Sequence, residues 1–215
     1  MEQIHAQAEP SVACDRCPRL VDFHTTNRQA FPDWFNAPVP SFGSADSQLL
    51  VVGLAPGLRG ANRTGRPFTG DYAGVLLYHT LLKYGFAKGQ YDERPDDGLT
   101  LVNCMITNAV RCVPPANKPT PAEITACRDF LTNRIAACPN LQVIVVLGRV
   151  AHDSTLRALG LKLSAYPFAH GATHRLPGKP VIIDSYHCSR YNTNTGALTT
   201  EMFEAVFQSA RDFIK

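Results

Sequence analysis

The chain has 215 residues, 45% of them apolar, with 21 basic against 18 acidic side chains and a formal charge of +3. It is long enough to bury one ordinary core, so neither a crosslinked miniprotein nor a disordered polyelectrolyte is expected, and net charge alone does not single out a nucleic-acid binder. The longest apolar runs, Leu49 to Val52 and Val143 to Leu147, fall far short of the roughly 20 residues that cross a bilayer.

In chain order, residues 1–47 carry Pro32, Pro38 and Pro40 and read as an irregular arm packed on the rest. Its opening stretch, MEQIHAQAEPSVACDRC, has neither a basic n-region nor an apolar h-region, so no secretory or lipoprotein signal is expected and a cytoplasmic protein is. Runs rich in Val, Ile and Leu near 48–54, 99–107, 141–147 and 180–184 predict four strands buried on both faces. Helices are predicted near 71–84, 121–137, 149–159 and 200–214. The second has the best-marked start, with Thr120 as N-cap, Pro121 at the first helical position and Glu123 as the capping-box acid. Residues 88–98 read as an exposed acidic loop. Strands alternating with helices predict an α/β fold, a three-layer α/β/α sandwich with a central, mainly parallel four-stranded sheet, in one domain spanning residues 1–215.

In such sheets ligands settle beyond the carboxyl ends of the strands. The loops expected there are GLAPGLRGANRTGRPFTGD (53–71), TNAVRCVPPANKPT (107–120) and SYHCSRYNTNTG (185–196), all rich in polar and turn-forming residues. The first is neither a Walker loop nor a GxGxxG motif. Its glycines let backbone approach a ligand closely, while Arg59, Arg63 and Arg66 offer phosphate-pairing forks. Phe68, between Pro67 and Thr69, is suited to stack on a planar base. Asn62 and Asp71 add an amide and a carboxylate.

Seven cysteines are an odd number, and in a reducing compartment metal binding comes before disulfides. Cys14 and Cys17 form a CxxC pair, and Cys112 and Cys127 flank the start of the second predicted helix. Four thiolates suit either a structural zinc or a [4Fe–4S] cluster, and spacing does not decide between them. Cys104, Cys138 and Cys188 read as small buried apolar residues.

The run GLAPGLRGANRTGRPFTGD, the segment ITNAVRC with its following PP and PTPAEI, and YHCSRYNTNTG, in that order, resemble the iron–sulfur uracil-DNA glycosylases, specifically the type 5 branch. The resemblance implies a monofunctional DNA glycosylase of base excision repair. It would bind double-stranded DNA containing uracil, with breadth extending to hypoxanthine and ethenocytosine; a monomer is expected. It also implies that Cys14, Cys17, Cys112 and Cys127 hold a [4Fe–4S] cluster. Phe68 would stack on the flipped base, Asn108 would read its Watson–Crick edge, and Gly53, Leu54 and Ala55 would line the same pocket with His187. His187 would stabilise the departing base, and Asp71 would orient water or stabilise the cationic sugar. Arg59, Asn62, Arg63 and Arg66, together with Arg190, Tyr191, Asn192, Thr193 and Asn194, would contact DNA, the latter five as a loop entering the minor groove.

Leu54 is apolar where other branches place a carboxylate or an Asn, and Cys188 follows His187 where a proline is common. On residue type alone, Asp71 is as good a helix N-cap as a catalytic group, and one side chain is not expected to do both. Two other functions remain open from the residues: a lesion-binding or covalently trapping protein on the same fold, and a zinc-stabilised nucleotide hydrolase.

Overall fold

The computed structural model describes residues 8–214, so the first seven residues of the arm lie outside it. Four parallel strands form the centre of the sheet: β2 (Leu49–Gly53), β5 (Cys104–Asn108), β6 (Val143–Leu147) and β8 (Val181–Ser185). They lie in the order β5-β2-β6-β8, as the alternating sequence pattern requires. The sheet has six strands rather than four, because β1 (Phe42–Gly43) pairs antiparallel with β5 and β7 (Thr173–His174) pairs antiparallel with β8. These edge strands are two residues each, too short to leave a hydrophobic period. A separate ribbon joins β3 (Ala87–Lys88) and β4 (Thr100–Leu101), so the second predicted strand starts at Cys104, after a turn, rather than at 99.

Side-chain alternation sorts the core into two layers. Leu49, Val51, Ile106, Val145 and Ile183 face α3 (Tyr72–Lys83) and α7 (Thr200–Phe213), meeting Leu77, Leu81, Phe203 and Phe207. Leu50, Val52, Ile144, Val146 and Ile182 face the other way, towards Leu131 of α4 (Pro121–Ala136) and Leu156 of α5 (Arg149–Ala158). The predicted helices therefore form within a residue or two of their expected bounds, and α4 begins on the Thr120–Glu123 capping box. Among the described residues no helix is long and apolar enough to cross a membrane.

The arm is not irregular throughout. Pro18–Ala30 is a thirteen-residue helix, α1, and its buried face is Leu20, His24 and Asn27. With two of those three polar, no apolar stripe marks it in sequence. Ion pairs hold it instead: Arg19 grips Glu123 of α4 through two hydrogen bonds of 2.7 and 2.8 Å, and Arg16 reaches Asp129 at 3.1 Å while lying over the Phe130 ring. Glu9 bridges Arg111 and Arg134, the latter at 2.6 Å.

Two expected DNA contacts are interior. Arg66 is buried, bonded twice to Asp97 (2.8 and 2.7 Å), and packed among Phe42, Tyr78 and Tyr91. Asp97 accordingly breaks the expected exposure of the 88–98 loop, its side chain being fully covered. Asn62, on the four-residue helix α2 (Ala61–Thr64), is also fully buried, its Nδ2 donating to Asn36 Oδ1 at 2.8 Å. Arginine in a glycine-rich loop looked like a phosphate fork because sequence does not reveal a partner thirty residues away. Removing one partner of a buried charged pair leaves the other uncompensated. Asp97→Asn is thus expected to cost about 3 kcal/mol in urea unfolding; an unchanged unfolding midpoint would contradict it.

Candidate active site and cysteine cluster

The carboxyl ends of β2, β5 and β8 open on a cavity of about 530 Å³. Its lining includes Leu54, Ala55, Arg59, Phe68, Asp71, Asn108, His187 and Arg190. Parallel pairing sets Gly53 opposite Asn108 at the last register position of β2 and β5. A Cβ on Gly53 would lie 2.4 Å from Asn108 Oδ1 and 2.5 Å from Phe68 Cζ, so only glycine permits this approach. Asn108 is buried and its Oδ1 has no hydrogen-bond partner among the described residues. An orphan acceptor of this kind is costly unless something from outside donates to it.

Phe68 has φ +53°, a left-handed conformation unfavourable for an aromatic residue. Its surroundings over-determine it. Tyr91 donates its hydroxyl to the Phe68 carbonyl (3.2 Å), Tyr78 donates to that of Pro67 (2.6 Å), and Arg66 Nε donates to Thr69 (2.7 Å). The buried Arg66 thus supports the ring instead of reaching for phosphate. Such strain, held by the surrounding packing, belongs to sites where a side chain must be aimed.

Asp71 caps a helix and also borders the cavity. Its Oδ1 accepts from Gly74 N–H (3.2 Å) as N-cap of α3. Its Oδ2 lies over Gly57 and Gly60, where added Cβ atoms would come within 2.9 and 2.3 Å of it. Two oxygens divide the roles between helix and cavity. Burial raises its pKa against the lowering pull of the Gly74 and Ala73 amides.

The His187 ring faces Phe68 with centroids 6.1 Å apart. Burial lowers its pKa to about 4, so the imidazole is neutral at physiological pH and carries one N–H to donate. Beyond it Arg190–Asn194 is a short helix, α6, capped by Ser189, rather than an open loop. Arg190 lies over the Tyr72 ring, Tyr191 is 75% exposed and Asn194 is exposed. Asn192 turns inward, its Nδ2 donating to the His187 carbonyl (2.8 Å), and Thr193 shares a hydrogen bond with the Tyr72 hydroxyl. Arg59 and Arg63 are exposed, as expected for DNA contacts. Tyr72, Asn117 and Ser189 also line the cavity although sequence reasoning had not picked them. Asn117 sits within the proline-rich loop after β5, whose composition was the available signal.

Cys14, Cys17, Cys112 and Cys127 line one small cavity with Leu20, Val110 and Phe130. The Arg111 amide donates to Cys127 Sγ at 3.3 Å. Burial raises the pKa of Cys17, Cys112 and Cys127, that of Cys127 to about 11, and the thiolates would also repel one another. That donor set suits a cationic centre, which would offset both costs. The other three cysteines, Cys104, Cys138 and Cys188, are buried, as a small apolar residue would be.

Acid stability follows from the histidines. His24, like His187, is lowered by burial from 6.5 to about 4. The unfolded chain therefore takes up protons near pH 6.5 that the folded chain refuses until about pH 4. The stabilisation from these neutral rings is complete above pH 6.5 and is lost as pH falls through about 4. Thermal denaturation should show Tm falling across that window, with a shallower fall in His24→Asn and His187→Asn; parallel curves for all three proteins would contradict it.

A sequence profile described as the Uracil DNA glycosylase superfamily matches residues 40–211. A type-5 uracil-DNA glycosylase of Thermus thermophilus is 45% identical over 205 residues, 93% of each chain. One from Pyrobaculum aerophilum is 38% identical over 203 residues, covering 93% of this chain and 88% of that protein. A type-4 uracil-DNA glycosylase of Archaeoglobus fulgidus is 31% identical over 192 residues, 87% of this chain and 82% of that one. With the sheet, the cavity and the profile in agreement, the chain belongs to the uracil-DNA glycosylase superfamily.

Proposed function

We propose that the chain is a monofunctional uracil-DNA glycosylase of base excision repair, acting on uracil in DNA and on further deaminated or modified bases such as hypoxanthine and ethenocytosine. The observation that carries the reading is the orphan Oδ1 of Asn108, buried beside Phe68 at the strand ends. Uracil is a planar base whose imide N–H can donate to that oxygen, while the Asn108 amide donates to a neighbouring carbonyl. Similarity to the type-5 enzymes over most of the chain supports the same assignment.

The base must first leave the duplex stack, at a cost of a few kcal/mol. Arg59 and Arg190 at the cavity rim, with the exposed Tyr191 on α6 and Arg63 on the neighbouring surface, would hold the opened strand. Phe68 offers the face on which the base stacks. As the glycosidic bond breaks, electrons pass to the base and the sugar becomes cationic. The neutral His187 then donates its N–H to the developing anion, an interaction worth about 3 kcal/mol if it acts as an oxyanion-hole donor does. Asp71 Oδ2 accepts from the attacking water or stabilises the sugar cation, with Leu54 leaving no other acid at that wall. Water adds to the sugar carbon, and the free base and an abasic site result. Among the described residues no lysine lines the cavity, in keeping with a glycosylase without a Schiff-base step.

The four cysteines that line one cavity would hold a [4Fe–4S] cluster through four thiolates. A bound cluster would tie α1 to α4 and the loop after β5.

The test is single-turnover release of free base from duplexes containing uracil, hypoxanthine or ethenocytosine, with visible absorption and iron content recorded first. Expected are a broad visible band with iron rather than zinc, uracil release leaving an alkali-labile site, and an about 100-fold or greater slowing by His187→Ala with duplex affinity retained. Tight binding without release would make the protein a lesion binder; a colourless zinc protein would remove the cluster.

A further inference from the structure

His152, His174 and Asp184 lie outside the cavity lining and take no part in the chemistry above. Asp184 sits in β8, between an Ile-Ile run and Ser185, and its side chain is fully buried. Burying a carboxylate there is costly unless it is paired. His152 Nδ1 lies 2.7 Å from its Oδ1, and Oδ2 accepts from His174 Nε2 at 2.9 Å and from the Ala169 amide at 3.2 Å. These donors account for the trio without a metal.

The charge of His152 follows from its partners. Nδ1 faces the carboxylate and Nε2 faces the Tyr166 carbonyl at 2.9 Å, and neither partner has a proton to give while Asp184 is ionised. A neutral imidazole has one N–H, so only the imidazolium satisfies both bonds. Burial works against that charge, but Asp184, the Tyr166 carbonyl and Asp153 outweigh it and raise the pKa above the ordinary value. Facing His152 besides these are the Phe168 and His174 rings, each with its centroid 5.5 Å away.

The pair fastens residues 166–172 to β8. Asp184 N–H donates to the Ala172 carbonyl (2.9 Å) and Gly171 N–H to that of Asp184 (2.8 Å). From this segment His170 Nδ1 accepts from Tyr186 N–H at 3.1 Å, and its ring stacks on Tyr186 with centroids 5.0 Å apart. Tyr186 immediately precedes His187. On the other side Gly148, at the start of the helix that carries His152, donates to the Ser185 carbonyl (2.8 Å).

We propose that the His152 imidazolium and Asp184 form a positioning pair for His187, clamping residues 166–172 to β8 and, through His170 and Tyr186, fixing the backbone that aims His187 into the cavity. The inference rests on the role given to His187 above. Loss of the His152 proton turns a ring lone pair onto an acceptor, so the clamp loosens on the alkaline side. Protonation of His170, which meets Tyr186 and the Met202 main chain, removes the acceptor for Tyr186 N–H on the acid side.

Single-turnover uracil release is to be measured against pH for the wild type, His152→Asn, His170→Asn and His187→Ala, with duplex Kd, Tm and an imidazole NMR titration of His152. The wild type should lose rate on the alkaline side as His152 loses its proton. His152→Asn should be about 10- to 100-fold slower, without that limb and with Kd unchanged. His170→Asn, whose Oδ1 can still accept from Tyr186 N–H but whose ring stack is gone, should lose the acid limb and be slowed less than His152→Asn. A wild-type rate in folded His152→Asn, an alkaline limb that persists in it, or equal losses of rate and affinity would overturn the proposal. Unchanged turnover in His187→Ala would instead overturn the role of His187, and the positioning pair with it.

Discussion

Parallel pairing of β2 with β5 sets Gly53 against Asn108, and the rest of the cavity depends on there being no side chain at Gly53. Two groups occupy the space a Cβ would fill: the Asn108 amide from the neighbouring strand and the Phe68 ring from the loop above. One brings a hydrogen-bonding edge and the other a flat apolar face. Their meeting at a strand end, rather than any one residue's chemistry, makes a slot for a planar polar ring. The slot is maintained from behind by polar groups buried for that purpose. Arg66 with Asp97, and Tyr78 and Tyr91 on the adjacent carbonyls, hold Phe68 in a backbone conformation it would not otherwise keep.

The same economy governs the arm. A segment with almost no apolar stripe is held by charged and polar contacts, Arg19 on Glu123, Arg16 on Asp129 and Phe130, Glu9 between Arg111 and Arg134. Those contacts bring a CxxC pair against two cysteines about a hundred residues further along. A metal centre held by these four cysteines would join arm and domain beside the apolar cluster of Leu20, Val110 and Phe130. Glu123 serves twice, as capping-box acid for α4 and as the partner of Arg19.

The sequence disclosed most where burial is uniform. Four Val/Ile/Leu runs became four parallel strands because each is buried on both faces. Motifs at their ends led to Asn108, Phe68, Asp71 and His187, which the fold brings around one cavity. Legibility failed where a partner is distant in the chain. Nothing local distinguishes Arg66, which is buried on Asp97, from Arg63, which is exposed. Asn62 and Asn192 likewise look like DNA ligands yet bond inward. The helix of the arm was hidden because its buried face is His24 and Asn27 as much as Leu20. Asp71 was undecidable in sequence because the distinction lies between its two oxygens.

The central claim is that Asn108 recognises the base through an imide proton that none of the described residues supplies. Its most direct measurement compares single-turnover release of uracil and of N3-methyluracil from otherwise identical duplexes, by the wild type and by Asn108→Ala. The account predicts that methylation slows the wild type by about 100-fold or more, and that the slower Asn108→Ala variant releases both bases at similar rates. Equal release of the two bases by the wild type would contradict it.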